Sequence, residues 1–343
     1  MRPFPTLRVP IIAAPMAGGP STPALVNAVG AAGGLGFLAG GYRSAEDLAA
    51  QIAAVRAAGT ADFGVNLFVP DTTPIDTEAV SAYRQALLPL AAQLGVDDLP
   101  EAHPDDDGWR AKIELLVASP VPVVSFTFGL PDRTTVERLH GAGSVLIGGV
   151  TSVPDALAAR ERGLDALVVQ GPEAGGHQFT FHTADPAPTT PLEELFAAVR
   201  DAVPGPLIAS GGLADAPAVR RMIDAGAVAV QLGTAFLLTP EAGTNATHRA
   251  ALTDPGFTRT ILTRAFSGRW ARGLANAYVE AYDALAPAAY PAVNQIAGPI
   301  RRMAAASGDP QHTHLWAGTA WRKVIEAPAA EVLAELWPGG TSD

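Results

Sequence analysis

The chain has 343 residues, 48% hydrophobic and only 17% charged, which is enough apolar material for a sizeable core and points to one large folded domain with a smaller one appended. A net charge of −11, with no block of five or six Lys or Arg, excludes the electrostatic footprint of a nucleic-acid or polybasic membrane binder. The absence of cysteine excludes disulfides, thiolate nucleophiles and Cys-ligated metal centres, so any redox chemistry falls to a bound cofactor.

Arg2 and Arg8 precede a short apolar run in the manner of a secretory leader, but Pro10 and Pro15 interrupt it, and a buried first strand accounts for the run. No apolar run reaches the ~18 residues of a membrane span, so a cytoplasmic protein is expected. Ile11–Met16 is read as that first strand, closed by Pro-Met-Ala-Gly-Gly, with Ser21 capping a helix to Ala32. Gly34–Gly40 is a second strand, and Ser44 caps the Ala-rich helix Ala45–Ala58. Phe63–Phe68 is the third strand.

The regular spacing then breaks down over residues 69–120. This stretch holds helix-like parts at Thr77–Leu94 and Gly108–Ala118 around the acidic DDLPEAHPDDD, and is read as an insertion at the carboxyl end of a strand, where a lid or substrate flap is built. From Val121 the alternation returns. Strands are predicted at Val121–Phe128, Ser144–Val150, Ala166–Gln170, Pro206–Ser210 and Ala227–Leu232, and helices at Asp132–His140, Val153–Arg162, Pro191–Val203 and Asp215–Ala225. Eight continuous apolar runs alternating with helices, without a strong hairpin signal, predict a closed (β/α)₈ barrel, a TIM barrel of the α/β class, over residues 1–238. Residues 239–305 are read as a mainly helical cap, with helical stretches at Glu241–Leu252 and Ala275–Leu285, a β-rich piece at Thr258–Phe266 and a mixed Tyr290–Ala305; residues 306–343 return to the barrel.

In such a barrel the working face is the set of loops after the strands. Those loops carry Pro15-Met16, then Asn66, Gln170 followed by His177, Ser210-Gly211-Gly212, and Gln231-Leu232-Gly233-Thr234. The two last loops, rich in glycine and small hydroxyls, are positioned to expose backbone N–H groups to a phosphate. Asn66 and Gln170 are polar ends of apolar strands, read either as satisfied structural amides or as partners of a flat heterocycle. In GPEAGGH, Gly175 and Gly176 leave the loop open to a flat ligand, and His177, with an ordinary pKa near ~6.5, is the best general-base candidate.

The other histidines, His103, His140, His182 and His248, read as surface or structural, and the pair His312 and His314 lacks further ligands, so no metal is expected. Gly34–Ala39 fits the loose GxGxxG/A dinucleotide pattern but lies inside a strand, and Asn245-Ala-Thr247 is a glycosylation sequon relevant only to a secreted protein. Neither a P-loop nor GxSxG is present.

These motifs resemble the FMN-dependent nitronate monooxygenases of the 2-nitropropane dioxygenase type. The resemblance covers APMAGG (14–19), GVNLF (64–68), QGPEAGGH (170–177), ASGGLAD (209–215), QLGTAFLLTPEA (231–242), FSGRWARG (266–273), Tyr290-Pro291 and LWAG (315–318), and the order of the motifs is more specific than any one of them. It implies FMN across the barrel mouth, its phosphate on Gly212 and the Gln231–Thr234 loop, with Pro15, Met16, Asn66, Gln170 and Gly175 around the ring and ribityl chain. It makes His177 the active-site histidine. The implied reaction takes a nitronate and dioxygen to a carbonyl compound and nitrite, with His177 removing the α-proton of a neutral nitroalkane or positioning an anionic nitronate. A monomer or homodimer is expected.

The sequence departs from the family pattern after the histidine. Gln178-Phe179 stands where Arg-Gly is usual, which removes a possible cation beside an anionic substrate, and Thr319 stands where Gln is usual after LWAG. The EAGGH and glycine loops are shared with FMN-dependent enoyl-reductases and NAD(P)H:quinone reductases, so an NAD(P)H-dependent reductase is the alternative. FSGRWARG and the YP/LWAG tail favour the monooxygenase.

Overall fold

The computed structural model describes residues 2–339. Eight parallel strands close on themselves: β1 (Ile11–Ala13), β2 (Leu35–Ala39), β3 (Gly64–Phe68), β4 (Val123–Thr127), β5 (Val145–Val150), β6 (Ala166–Gln170), then, past a two-residue strand β7 (Gly176–His177) outside the barrel, β8 (Leu207–Ser210) and β9 (Ala229–Leu232), which pairs back onto β1. Every barrel-strand residue is buried, as continuous apolar runs covered on both faces require. The GxGxxG-like segment lies in β2, so it opens no helix.

Register separates the barrel into an apolar floor and a polar rim. Ile12, Phe37, Val123, Ile147, Val168, Ile208 and Ala229 fill the interior, with Phe4 and Leu7 packed against them. Toward the carboxyl ends Asn66 stands opposite Ser125, Gln170 opposite Ser210, and Ser210 opposite Gln231, so the same alternation that fills the floor delivers polar side chains to the mouth.

The outer ring consists of α1 (Pro23–Ala31), α2 (Ala45–Ala57), then, past α3 (Thr77–Gln93), α4 (Trp109–Ala118), α5 (Arg133–Ala142), α6 (Val153–Arg162), α7 (Leu192–Ala202) and α8 (Ala216–Asp224). Ser44, Asp132, Ser152 and Asp215 cap their helices as side-chain acceptors. At α1 the cap is Thr22, one residue beyond the expected Ser21. Ser21 is instead buried and accepts the Met16 N–H at 2.8 Å, so its hydroxyl shapes the loop after β1. Near the chain's end α12 (Ala329–Leu336) packs against α1 and α8 and completes the ring.

A second core lies to one side. Val80, Tyr83, Leu87 and Leu90 of α3 pack with Val293, Ile296 and Ile300 of α11 (Ala292–Ala306), and with Phe266 and Tyr278. The insertion after β3 and the C-terminal cap are thus one packing unit, whereas α4 packs against α2 and α5 in the outer ring. In the stretch read as mixed, 290–305, Tyr290 and Pro291 form a turn and the rest belongs to one continuous helix despite Pro299, because its buried residues recur at helical spacing against α3. The rest of the cap holds α9 (Ala246–Thr253), the antiparallel pair β10 (Thr260–Thr263) and β11 (Ala271–Leu274), and α10 (Ala277–Tyr282). No helix among the described residues is long and apolar enough to cross a membrane.

Candidate active site

The carboxyl ends of the strands open into a cavity of about 580 Å³. Its walls include every residue singled out from the strand ends: Pro15, Met16, Asn66, Gln170, Gly175, Gly176, His177, Gly211, Gly212, Gln231, Leu232, Gly233 and Thr234. Its size falls in the range of small-molecule and cofactor sites.

His177 is held more firmly than a glycine loop predicts. It lies in β7, which pairs with β11 so that Ala271 faces His177 and Arg272 faces Gly176; β11 in turn pairs with β10. The FSGRWARG motif therefore supplies most of the strand that pairs with the one carrying the histidine. Gly176 has φ +75°, with no atom near where a Cβ would sit. Gly175 is constrained differently: a Cβ there would lie 2.5 Å from Gly318 N, because the LWAG segment crosses the loop backbone to backbone. That crossing is fixed by the Thr319 N–H donating to Glu173 O (3.0 Å) and the Gly318 N–H donating to Thr234 Oγ1 (3.0 Å).

Gln170 and Asn66 both have protein partners. Gln170 brackets the loop, donating from Nε2 to His177 O (3.2 Å) and accepting from Phe179 N at Oε1 (2.9 Å). Asn66 donates from Nδ2 to Ser125 Oγ and Thr127 Oγ1 at 2.9 and 3.0 Å. The two residues after the histidine turn inward. Gln178 is fully buried and donates to Ala174 O, while the Phe179 ring packs with the barrel-interior cluster, against Gly149, where any Cβ would meet it at 2.4 Å.

The glycine loops have the features of an anion cradle. Gly211 and Gly212 have φ +122° and +69°, and the N–H groups of Gly212 and Gly233 donate to nothing among the described residues. Backbone donors left free at a cavity wall, at the end of two neighbouring parallel strands, are open to water or to an acceptor on a ligand.

The imidazole sits in an aromatic cage, with ring centres of Phe128, Trp316 and Tyr290 at 5.4, 5.6 and 6.3 Å. Tyr290 precedes a cis proline, and Phe128 itself has φ +74° at the end of β4. Burial, then the charges of Arg269 and Arg301, push the His177 pKa down to about 3, so the ring is neutral at ordinary pH.

Its Nε2 lies 2.9 Å from Ser267 Oγ. Ser267 Oγ also lies 3.3 Å from both Arg269 O and Arg269 N. One arrangement satisfies all four groups: Ser267 donates to Arg269 O and accepts from Arg269 N and from His177 Nε2–H. The lone pair is then on Nδ1, which has no partner among the described residues.

Three features of the site were not read from the sequence. Arg269 is 1% exposed, ion-paired to Asp71 (3.2 Å), and packed over Phe128 with its guanidinium carbon 4.3 Å from the ring centre. His248, read as surface or structural, and His314, read only as half of a pair without further metal ligands, line the same cavity, and burial pushes His248 to about 4. Arg301 of α11 lines it too. His312, by contrast, pairs with Asp309 (2.6 Å), so the His312/His314 pair is divided between two environments. No group of three metal-ligating side chains occurs among the described residues.

A closed barrel whose strand ends gather a neutral histidine and free backbone donors into one cavity is the framework of a β/α-barrel enzyme, whose working face is the carboxyl ends of its strands. Comparison with known proteins gives the family. The model of the nitronate monooxygenase family matches residues 5–339. A probable nitronate monooxygenase of Staphylococcus aureus (strain JH9) is 35% identical over 335 residues, covering 96% of this chain and 94% of that protein. The crystal structure of a nitroalkane oxidase from Streptomyces ansochromogenes superposes with a TM-score of 0.92 at 43% identity, over 96% of this chain and 95% of that one. FabK from Thermotoga maritima shares the fold at a TM-score of 0.73 and 23% identity, over 96% and 92% of the two chains. The chain belongs to the nitronate monooxygenase family, and it is an oxidoreductase.

Proposed function

We propose that the cavity binds FMN and that the enzyme oxidises alkyl nitronates, and neutral nitroalkanes after deprotonation, with dioxygen to a carbonyl compound and nitrite. The observation that carries this reading is the presence in one cavity of a neutral histidine with an unpartnered Nδ1 and of two glycine loops with unpartnered N–H groups. The residues fit the cofactor: free donors at Gly212 and Gly233 suit a phosphate, and Gly176, with no atom within 4 Å of where a Cβ would sit, leaves space for a flat ring. Gly211, Gly212, Gly233 and Thr234 would hold the phosphate. Pro15, Met16, Asn66, Gln170, Gly175, Gly176, Gln231 and Leu232 would surround the ribityl chain and ring. Bound FMN supplies a ring that takes up electrons from the substrate and returns them to dioxygen.

The chain's own residues supply the proton chemistry. His177 is neutral before substrate arrives, so its Nδ1 is ready to accept the α-proton of a nitroalkane without first losing one. Ser267 holds the tautomer that leaves Nδ1 basic. Phe128, Tyr290 and Trp316 exclude water around the ring. A nitronate already lacks the α-proton, and for it the histidine has only to position the anion.

The names of the Streptomyces and Staphylococcus proteins place nitroalkane and nitronate oxidation in close relatives. The test is a spectrum of purified protein followed by mixing with alkyl nitronates in air. Flavin absorbance, oxygen uptake and nitrite release are expected. No nitrite from several nitronates, together with flavin bleaching by NADPH under nitrogen, would replace this reading with the reductase one.

A further inference from the structure

Two arginines of α11 line the cavity without an ion-pair partner among the described residues, the solvent-exposed Arg302 and the half-buried Arg301, and only Arg301 has been withdrawn from water. On α11, Asn294, Gly298, Arg301 and Ala305 recur at i, i+4, i+7 and i+11, and this stripe forms a wall of the cavity. The Arg301 Nη2 is tethered to Asn294, donating to its backbone O at 2.9 Å and its Oδ1 at 2.7 Å. The Arg301 Nε is buried without a partner, and Nη1 makes no hydrogen bond among the described residues. No carboxylate lies within ion-pair distance of it, although fourteen ion pairs occur elsewhere among the described residues.

Arg269, the fully buried cation nearby, differs in this respect. It is matched by Asp71, and its Nη1 and Nη2 donate to Thr180 O and Phe181 O. Desolvating a guanidinium without a counter-charge is costly, so the position calls for an anion that arrives with the ligand. Burial and the same uncompensated charge help to keep His177 and His314 neutral. A nitronate is planar and carries its charge on two oxygens, which is the shape a guanidinium fork recognises in a carboxylate.

We propose that Arg301 is the anion anchor of the substrate site: its charge and its free Nη1 donors bind the nitro-group oxygens of an anionic nitronate, with Asn294, which holds Nη2, setting the orientation of the guanidinium. This rests on the nitronate reading above, and it explains how a chain with Gln178-Phe179 after the histidine still meets an anion. Both of those residues turn inward, and the charge comes from the opposite subdomain instead.

The probe is nitrate, a planar anion isosteric with the nitro group. Nitrate is expected to raise the melting temperature of the wild-type holoenzyme saturably and to compete with an alkyl nitronate. In Arg301→Gln its affinity should fall about 10- to 100-fold, the equivalent of losing charge-assisted hydrogen bonds, with partial recovery in Arg301→Lys. KM for the nitronate should rise by a similar factor while kcat changes less, and KM for a neutral nitroalkane should rise less than KM for the nitronate. Asn294→Ala, which keeps the charge and loosens the fork, should show an intermediate loss and guards against a misfolded Arg301 variant. Nitrate binding unchanged in Arg301→Gln, or absent from the wild type, overturns the assignment. A wild type that binds nitrate through Arg301 yet oxidises no nitronate refutes the activity and leaves the anion site standing.

Discussion

His177 Nε2 and Ser267 Oγ meet at 2.9 Å across 90 residues of sequence. The contact joins the loop after β6 to the turn before β11, and it decides which imidazole nitrogen carries the hydrogen. Removing the hydroxyl should therefore affect proton abstraction more than binding. In Ser267→Ala, kcat for a neutral nitroalkane is expected to fall about tenfold or more, toward the lower end of a general base's contribution, with a smaller change for a pre-formed nitronate. Steady-state kinetics on the two substrate forms measures the difference, and equal losses on both would assign Ser267 a purely structural role.

The acid side of the pH profile follows from the histidines. His177 sits at about 3, so the fraction of neutral base does not change between pH 7 and 5, and kcat/KM for a neutral nitroalkane should show no histidine limb near the ordinary ~6.5. Stability behaves differently. His248 is held at about 4 in the folded state, below its unfolded value, so between those two values the unfolded chain binds the extra proton. The stability that a neutral His248 contributes is present in full above pH 6.5 and is lost as pH falls toward 4. Acidification over this range should lower the melting temperature while turnover per folded molecule holds. A kinetic limb near 6.5 in protein that circular dichroism shows to be folded would sink the assignment of His177 as a depressed base.

Much of this site was legible from the strand ends, because a parallel barrel forces each apolar run to deliver its last polar residue to one face. Asn66, Gln170, Ser210 and Gln231 reach the mouth by that rule. What the sequence concealed came from long-range pairing. The two-residue strand at Gly176–His177 has no periodicity of its own and exists only because Ala271 and Arg272 pair with it. Gly175 reads as leaving its loop open and Gly318 only as the end of the LWAG motif, yet each is required by the close approach of the other's backbone. Ser21 and Thr22 are both acceptable caps, and only the fold of the Met16 loop assigns one to each task. Arg301 sat in a stretch read as mixed, where a proline at 299 obscured the helical stripe that carries it to the cavity.

Asp71 and Arg269 form the buried ion pair beneath the aromatic cage, 5% and 1% exposed at the side chain. Burial alone would raise the Asp71 pKa, but hydrogen bonds from Thr73 and Thr183 outweigh it and hold the carboxyl at about 2. A carboxyl lowered in the folded state contributes stability that is present above its ordinary value near 3.8 and is lost as pH falls through 2. Asp71→Asn leaves Arg269 buried without its counter-charge, and a destabilisation of about 3–5 kcal/mol is expected at pH 7. Urea midpoints at pH 7 and pH 3 test both points: the variant should lose most at pH 7, and an identical deficit at the two pH values would show that the carboxylate charge is not what matters.

Gly212 tests the cradle. Its φ of +69° disfavours any side chain, and a Cβ there would meet Glu173 Cβ at 2.9 Å, so Gly212→Ala must shift the loop that carries the free N–H. The left-handed conformation alone costs an alanine about 1–2 kcal/mol, which this loop can relieve by turning its N–H away from the cavity. The barrel below the loop is packed independently of it, since the interior cluster runs through Ile208 and Ala229 without Gly212. The variant should therefore fold with near-native circular dichroism while its flavin-to-protein ratio after gel filtration falls well below that of the wild type. Added FMN should restore occupancy at higher concentration. Full flavin retention in a folded Gly212→Ala protein would mean that the phosphate, and with it the orientation of the ring toward His177, is held elsewhere.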